Sequence, residues 1–205
     1  MLAYLEAMAD RTDEARDLYG RSRAIYEELG MTFALVARTA IPAAIETMAG
    51  NPAGAERELL SGYEALATIG ETELRSTVAA MLAESYVSEG RDDEAEQWLE
   101  RGRETPSDER LPQMLWRQVR GKVLARRGEL EEGERLAREA VALAEESDML
   151  NAHADALLDL AEVLTLASQD ARPELDRALA LYERKGNLVM VERTRSKLAE
   201  LTALR

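Results

Sequence analysis

The side chains able to do metal or acid–base chemistry are few and poorly grouped in this sequence. His153 is the single histidine, and the absence of cysteine excludes disulfides, thiolate nucleophiles and cysteine metal sites. Asp155 and Asp159 follow His153, but His153 and Asp159 are not an i, i+4 pair, and a metal site usually needs several suitably spaced ligands. We therefore expect His153 to be a structural or solvent-facing residue.

Paired carboxylates are abundant, as at Asp92-Asp93, Glu131-Glu132 and Glu145-Glu146. They fall in first helical turns or on polar faces, whereas acid–base catalysis needs two carboxyl groups held in a pocket with separated pKa values. The segment 128–133 begins and ends with glycine but lacks the Lys-Ser/Thr of a phosphate-binding loop. The sequence thus predicts no catalytic, cofactor-binding or metal-ligating residue, and a protein that is not an enzyme.

A basic cluster stands out in a chain whose net charge is −14. Its members are Arg117, Arg120, Lys122, Arg126 and Arg127. Gln118, Lys122 and Arg126 follow at i, i+4 and i+8, so they share one helix face. Two interpretations stay open: the charges pair with neighbouring acids on a solvated surface, or they attract an acidic peptide or another domain. Trp116, beside this face, is either an interface anchor or packed against the preceding unit.

The acidity of the whole chain limits its partners. Its pI of about 4.7 disfavours binding to nucleic acid and to anionic membranes, because both are negatively charged. No apolar run reaches the roughly 18 residues of a membrane span. The first residues, Met1 to Glu6, lack the basic start and apolar centre of a signal peptide. These features predict a cytoplasmic protein.

The elements that position these side chains follow a period. A turn followed by Glu-Ala or a similar helix start recurs at Ala15, Ala55, Ala95, Gly133 and Ala171, in steps of 40, 40, 38 and 38 residues. Such self-similarity is typical of stacked repeats. Alanine, leucine, glutamate and arginine predominate and favour helix, and no alternating strand pattern is present.

Each repeat is predicted to be two helices joined by a turn. In the cleanest one, apolar residues at i, i+3, i+4 and i+7 lead to Gly90, where the first helix ends. Small residues recur 19 positions apart, as Ala83 with Gly102 and Gly121 with Ala140, and we expect each pair to mark a close approach of two helices. The corresponding pair in the last repeat is closer, so we expect a shortened turn near residues 168–170.

One repeat domain is predicted over residues 1–205. Its units are approximately 1–30 (partial), 31–70, 71–109, 110–149 and 150–186, followed by a capping helix at 187–205. Pro42 should bend the first helix of the second unit, and the segment around Thr105–Leu111 is the loosest loop. Because Met1 to Ala9 is too short for a full partner helix, we expect an exposed apolar edge that favours self-association, formed by Leu2, Leu5, Leu18 and Ile25.

The pattern resembles the tetratricopeptide repeat (TPR) family in a longer-period form. The residues that carry the resemblance are Ala83, Tyr86, Gly90, Ala95, Leu99 and Gly102 in one unit and Gly121, Leu124, Gly128, Gly133, Ala137 and Ala140 in the next. Residues 125–144 and 154–164 are similar to the C-terminal repeats of large bacterial signalling proteins. In those proteins a nucleotide cyclase-like or DNA-binding regulatory domain and an ATPase module precede the repeats.

The resemblance implies an all-α fold, a right-handed α-α superhelix of about five helix pairs plus a C-terminal capping helix. It implies a non-catalytic interaction module that regulates or scaffolds a larger bacterial signalling protein. The alternatives are a self-associating structural repeat and a sensor that binds a small molecule or peptide. The partner would be a protein or peptide, another domain of the same polypeptide, or a second copy. In this family the first helix of each pair lines a groove, which here would carry Met81, Glu84, Gln118, Lys122, Arg126, Asp155, Asp159 and Glu162.

Overall fold

The computed structural model describes residues 1–103 and 109–203, and these residues form twelve helices and no strand. In chain order the helices are α1 Leu2–Met8, α2 Thr12–Glu28, α3 Thr32–Val36, α4 Ala40–Met48, α5 Pro52–Thr68, α6 Glu73–Ser88, α7 Asp92–Arg103, α8 Arg110–Arg126, α9 Leu130–Glu145, α10 Leu150–Leu166, α11 Arg172–Lys185 and α12 Leu188–Ala203. The all-α prediction is confirmed. Much of the predicted loose loop at Thr105–Leu111, and residues 204–205 of the predicted capping helix, lie outside the described residues.

The chain divides into two compact units, Met1–Ser107 and Asp108–Arg205. In the N-terminal unit α1 packs on α2, α4 on α5 and α6 on α7, while α5 also contacts α6. In the C-terminal unit α8 packs on α9 and α10 on α11, and α10 also contacts both helices of the preceding pair. Helices adjacent in sequence therefore form pairs, as the period predicted.

The turns between paired helices depend on residues with positive φ. Gly90, Gly128 and Gly186 adopt φ of 75°, 89° and 75° at the ends of their helices, where a Cβ atom would be strained. After Gly90 the chain closes the helix end, because the backbone N–H of Arg91 donates to the Tyr86 carbonyl at 2.9 Å. Ser168 takes the equivalent role with φ of 57°. The prediction that this turn is shortened is wrong, because residues 167–171 separate α10 from α11, whereas only residues 127–129 separate α8 from α9.

The predicted bend at Pro42 is a complete break. Helix α3 ends at Val36, a turn follows, and α4 begins at Ala40 with Pro42 in its first turn. Proline lacks the N–H that a continuous helix would bond to the carbonyl four residues earlier, and its ring clashes with that carbonyl. With this break the described residues form twelve helices, whereas about five helix pairs and a capping helix would give about eleven.

The small residues 19 positions apart are not the ones that meet. A Cβ atom built on Gly102 would approach Ala79 and Ser76, and one built on Gly121 would approach Gly133 and Ala137. Paired helices run antiparallel away from their turn, so the residues that face each other are those roughly equidistant from it. The spacing in the sequence predicted the repeat correctly, but the prediction that small residues 19 positions apart meet is wrong.

The core of the C-terminal unit lies around α10, whose side chains Leu157, Leu160 and Leu164 are almost fully buried. Helix α12 packs on α11 and buries mainly Val191 and Thr194, while charged residues cover its remaining face. Such a polar outer face is what a terminal capping helix needs. Across the described ranges, none of the helices combines the length and the apolar composition required to cross a membrane.

Candidate interaction surface

The predicted site residues divide between the two units. Helix α8 carries Gln118, Lys122 and Arg126, and α10, which packs on it, carries Asp155, Asp159 and Glu162. We call these six residues the α8–α10 polar strip. Met81 and Glu84 lie half buried on α6 of the N-terminal unit.

The centre of the strip is a buried ion pair. Lys122 Nζ lies 2.7 Å from Asp159 Oδ1, and the lysine side chain is only 3% exposed. Gln118 Nε2 donates to the other oxygen of the same carboxylate at 3.1 Å. Desolvation of two charges offsets much of their attraction, so such a pair is tolerated only when further hydrogen bonds satisfy it. Asp159 has both the ion pair with Lys122 and a further hydrogen bond from Gln118.

A second ion pair lies further along the same face. Arg126 donates from Nη2 to Glu162 Oε1 at 2.6 Å and from Nε to the same oxygen at 3.0 Å. Burial raises the pKa of Glu162, but the positive charge of Lys122 and the hydrogen bond from Arg126 outweigh it, so the net pKa lies below its ordinary value. Glu162 is therefore ionised at neutral pH and holds α10 to α8.

The remaining acid of the strip ties α10 to α11. Asp155 accepts a hydrogen bond from the hydroxyl of Tyr182, a residue fully buried on α11. The strip therefore holds three carboxylates against two cations, and its cations are already paired inside the chain. Lys122 and Arg126 consequently do not form the open cationic patch that an acidic peptide would need.

One hydrogen-bonding group of the strip is left unsatisfied. Gln118 is 2% exposed, and its Oε1 has no hydrogen-bond partner among the residues that the structure describes. Buried acceptors are nearly always paired, because an unpaired one loses its bonds to water without compensation. This oxygen is also enclosed, so it is not itself open to a bound partner.

His153 lies on α10, outside the strip. Its Nε2 is 3.8 Å from Glu145 Oε1, and burial lowers its pKa below the ordinary value despite the opposing charge of Glu145. Within residues 1–103 and 109–203 there is no group of three or more His, Cys, Asp or Glu side chains placed to hold a metal ion.

A cluster of arginines and aromatic rings in the N-terminal unit was not predicted from the sequence. It comprises Tyr63 on α5, Arg75 on α6 and Trp98 with Arg101 on α7. Trp98 is notable in sequence as one of only two tryptophans. Its contact with Tyr63 joins positions 35 residues apart, and no local pattern shows such a pairing.

Comparison with known proteins supports the fold only. No protein-family model matches this sequence, and no curated protein matches it. The chain is similar to two solved structures of a Podosopora anserina protein, assigned as a kinesin light chain with nearly identical TPR-like repeats, one of them a point variant. Each has a TM-score of 0.55 and 18% identity, over 90% of this chain and 92% or 93% of the other. The likeness shows that this chain has a TPR-like, all-α repeat fold.

Proposed function

We propose that this chain is a non-catalytic protein–protein interaction module that recognises a protein or peptide partner through the α8–α10 polar strip. The observation that carries the proposal is the Arg126–Glu162 pair, whose side chains remain 25% and 33% exposed. A bound segment that carries a hydrogen-bond donor or a positive charge would contact the exposed part of Glu162. The TPR-like fold supports the proposal, since stacked helix pairs present extended surfaces to partners.

The energetics of the strip also support a role in recognition. Well-packed apolar residues often stabilise a fold as well as a buried ion pair does, so Lys122 and Asp159 are not needed for stability alone. We infer that they hold Gln118 and the Arg126–Glu162 pair in a fixed geometry for recognition. Because the carboxylates outnumber the cations, the preferred segment carries hydrogen-bond donors or positive charge.

A binding experiment on the recovered partner tests this proposal. The partner is isolated by affinity capture and titrated against the parent chain, Asp155→Asn, which changes an exposed carboxylate of the strip, and Glu162→Gln. We expect each substitution to weaken binding about tenfold, as the loss of one buried or charged hydrogen bond does. Glu200→Gln, on the exposed part of α12, is the matched control and should bind like the parent. Unchanged binding by both strip variants would show that the strip is purely structural.

The wider context that we propose rests on the sequence resemblance of residues 125–144 and 154–164. We propose that the repeats regulate or scaffold a larger bacterial signalling protein in the cytoplasm, with other domains of the same polypeptide as possible partners. The net charge of −14 argues against nucleic acid as the partner. The open reading frame around this sequence tests the context, because an upstream ATPase or cyclase motif is the expected finding.

A second candidate, a self-associating repeat, is favoured by the apolar surface of the N-terminal helices. The exposed apolar side chains there are Met1, Leu2, Leu5, Ile25, Leu29, Met31 and Phe33. Leu29 alone is 65% exposed, whereas Leu18, predicted to belong to this edge, is half buried. Several exposed apolar side chains in neighbouring helices favour an interaction surface.

A further inference from the structure

Two aromatic rings and two arginines form a layered cluster in the N-terminal unit. The rings of Tyr63 and Trp98 meet edge to face, with centroids 5.0 Å apart and planes at 85°. The guanidinium of Arg75 lies over the Tyr63 ring at 4.6 Å, and that of Arg101 lies over the Trp98 ring at 4.4 Å. Arg75 also donates to the Tyr63 hydroxyl at 2.9 Å. We call these four residues the arginine–aromatic cluster.

A chain of hydrogen bonds fixes the position of Trp98 in the ring pair. Trp98 is buried and hydrogen-bonded to Tyr86, whose hydroxyl donates to Glu56 Oε1 at 2.7 Å. Arg91 completes this support by donating to the other oxygen of Glu56 at 3.0 Å. A guanidinium stacked on a fixed ring loses little further conformational freedom on binding, which favours recognition by these arginines.

Neither arginine of the cluster has a carboxylate partner within the described part of the chain. Arg75 contacts only the Tyr63 ring and hydroxyl, and its Nε is enclosed without an acceptor. Arg101 is exposed and contacts the Trp98 ring. Other arginines of the chain, such as Arg91 and Arg135, contact two or more carboxylates. The cluster thus keeps two positive charges that have no direct carboxylate contact among the described residues.

We propose that the arginine–aromatic cluster is a docking site for an acidic peptide segment of a partner protein. Guanidinium groups bind carboxylates through paired, charge-assisted hydrogen bonds, and the half-exposed Tyr63 offers apolar contact between them. Arg75 and Arg101 stack on different rings, so two carboxylates along one segment fit the cluster better than a single phosphate does. The cluster lies in the N-terminal unit and shares no residue with the α8–α10 polar strip.

An octaglutamate peptide with a fluorescent label is the probe for this site. Its binding is followed by anisotropy and by the emission of Trp98 in a Trp116→Phe background, where Trp98 is the only tryptophan. We expect the parent chain to bind the peptide and Arg75→Gln and Arg101→Gln to weaken binding about tenfold each. Arg101→Lys should lie between, because it keeps the charge but loses the planar fork.

The control variant is Arg57→Gln, which removes an exposed arginine of α5 in the same unit. Its affinity should equal that of the parent. If the Arg57 and Arg101 variants lost the same affinity for octaglutamate, overall charge alone would explain the binding. This result would overturn the proposal. Arg101 is exposed, so Arg101→Gln should melt like the parent and remains decisive if Arg75→Gln disturbs the fold.

Three further outcomes would overturn the proposal. The first is that the parent chain does not bind octaglutamate. The second is that a peptide carrying phosphoserine binds while octaglutamate does not, which would make the cluster a phosphate site. The third is that Arg126→Gln abolishes binding while Arg101→Gln has no effect, which would assign the acidic segment to the polar strip.

Discussion

Gly121 of α8 and Gly133 of α9 face each other so closely that neither position has room for a side chain. A Cβ atom on Gly121 would lie 2.9 Å from the Gly133 carbonyl oxygen, and one on Gly133 would lie 2.7 Å from the Gly121 carbonyl oxygen. The obstructing atoms belong to the backbone, so they cannot move aside as a flexible side chain can. The two helices of this pair therefore touch backbone to backbone.

Substitution of Gly121 should accordingly be severe. We expect Gly121→Leu to lower the free energy of unfolding by about 3 kcal/mol or more, because overpacking forces the helices apart. Gly20, inside α2, is the control position, because a Cβ atom added there would meet no packed neighbour within 4 Å. Gly20→Ala should stabilise the chain by about 0.5–1 kcal/mol through helix propensity. Urea denaturation measures both changes, and equal effects would show that the helix contact is misplaced.

The buried ion pair predicts that loss of Lys122 lowers stability much more than loss of the exposed Arg135. Lys122→Ala leaves Asp159 buried without its cation, and we expect a loss of about 3 kcal/mol in the free energy of unfolding. Reversal of Lys122 to glutamate should likewise damage the fold, contrary to what an exposed cation would allow. Arg135→Ala breaks exposed pairs with Glu132 and Glu139 and should change stability little.

A double substitution separates lost charge pairing from lost packing at this position. Lys122→Met combined with Asp159→Leu removes both charges, and we expect it to recover most of the stability lost in Lys122→Ala. Thermal melts of the single and double variants form the comparison. No recovery in the double variant would mean that the site depends on the shape of the native side chains.

Stability should fall in acid as the paired carboxylates are protonated. The pKa of Glu46 is lowered first by its hydrogen bond from Arg16, and that of Glu162 is lowered by Lys122 and Arg126 against the effect of burial. A carboxylate with a lowered folded pKa stabilises the fold above its unfolded pKa, about 4.3 for glutamate, and this stabilisation is lost as the pH falls through the folded pKa. Denaturant titrations across this range should show a shallower slope for Glu162→Gln.

His153 should add a separate dependence at milder pH. Burial lowers its pKa, so the unfolded chain binds the proton more readily than the folded chain. Stability is therefore full above the unfolded pKa of about 6.5 and declines as the pH falls towards the folded pKa. His153→Gln removes this decline, since the chain has no other histidine. A melting temperature that varies equally with pH in parent and variant between neutral and mildly acidic pH would contradict the assignment.

The apolar surface of the N-terminal helices should drive self-association. We expect the parent chain to sediment faster as its concentration rises, and Ile25→Ser with Leu29→Ser to abolish the effect. Ile69→Ser is the control, because Ile69 is an exposed apolar residue outside this group. A parent chain that sediments as a monomer at every accessible concentration would remove the self-associating alternative.

Local signals in the sequence determined the helices and their turns. The period in the chain predicted helix pairs, and the glycines marked their ends because positive φ is accessible to glycine without strain. The same signals predicted that the first helix is short and that Pro42 disturbs its own helix. They predicted a bend at Pro42 where the helix breaks, because the outcome depends on how the residues around the turn pack.

Contacts between helices were decided only by the tertiary structure. Whether Gly121 meets Gly133 or Ala140 depends on the register of two antiparallel helices, and a spacing along the chain does not give that register. The pairing of Lys122 with Asp159 joins positions 37 residues apart and turned an apparent cationic face into a buried, neutralised one. Tyr63 and Trp98 meet through the same kind of long-range packing, and Arg75 and Arg101 stack on these rings without a carboxylate partner among the described residues. The composition gives the number of charged residues, but only the packing of the helices determines which charges are paired.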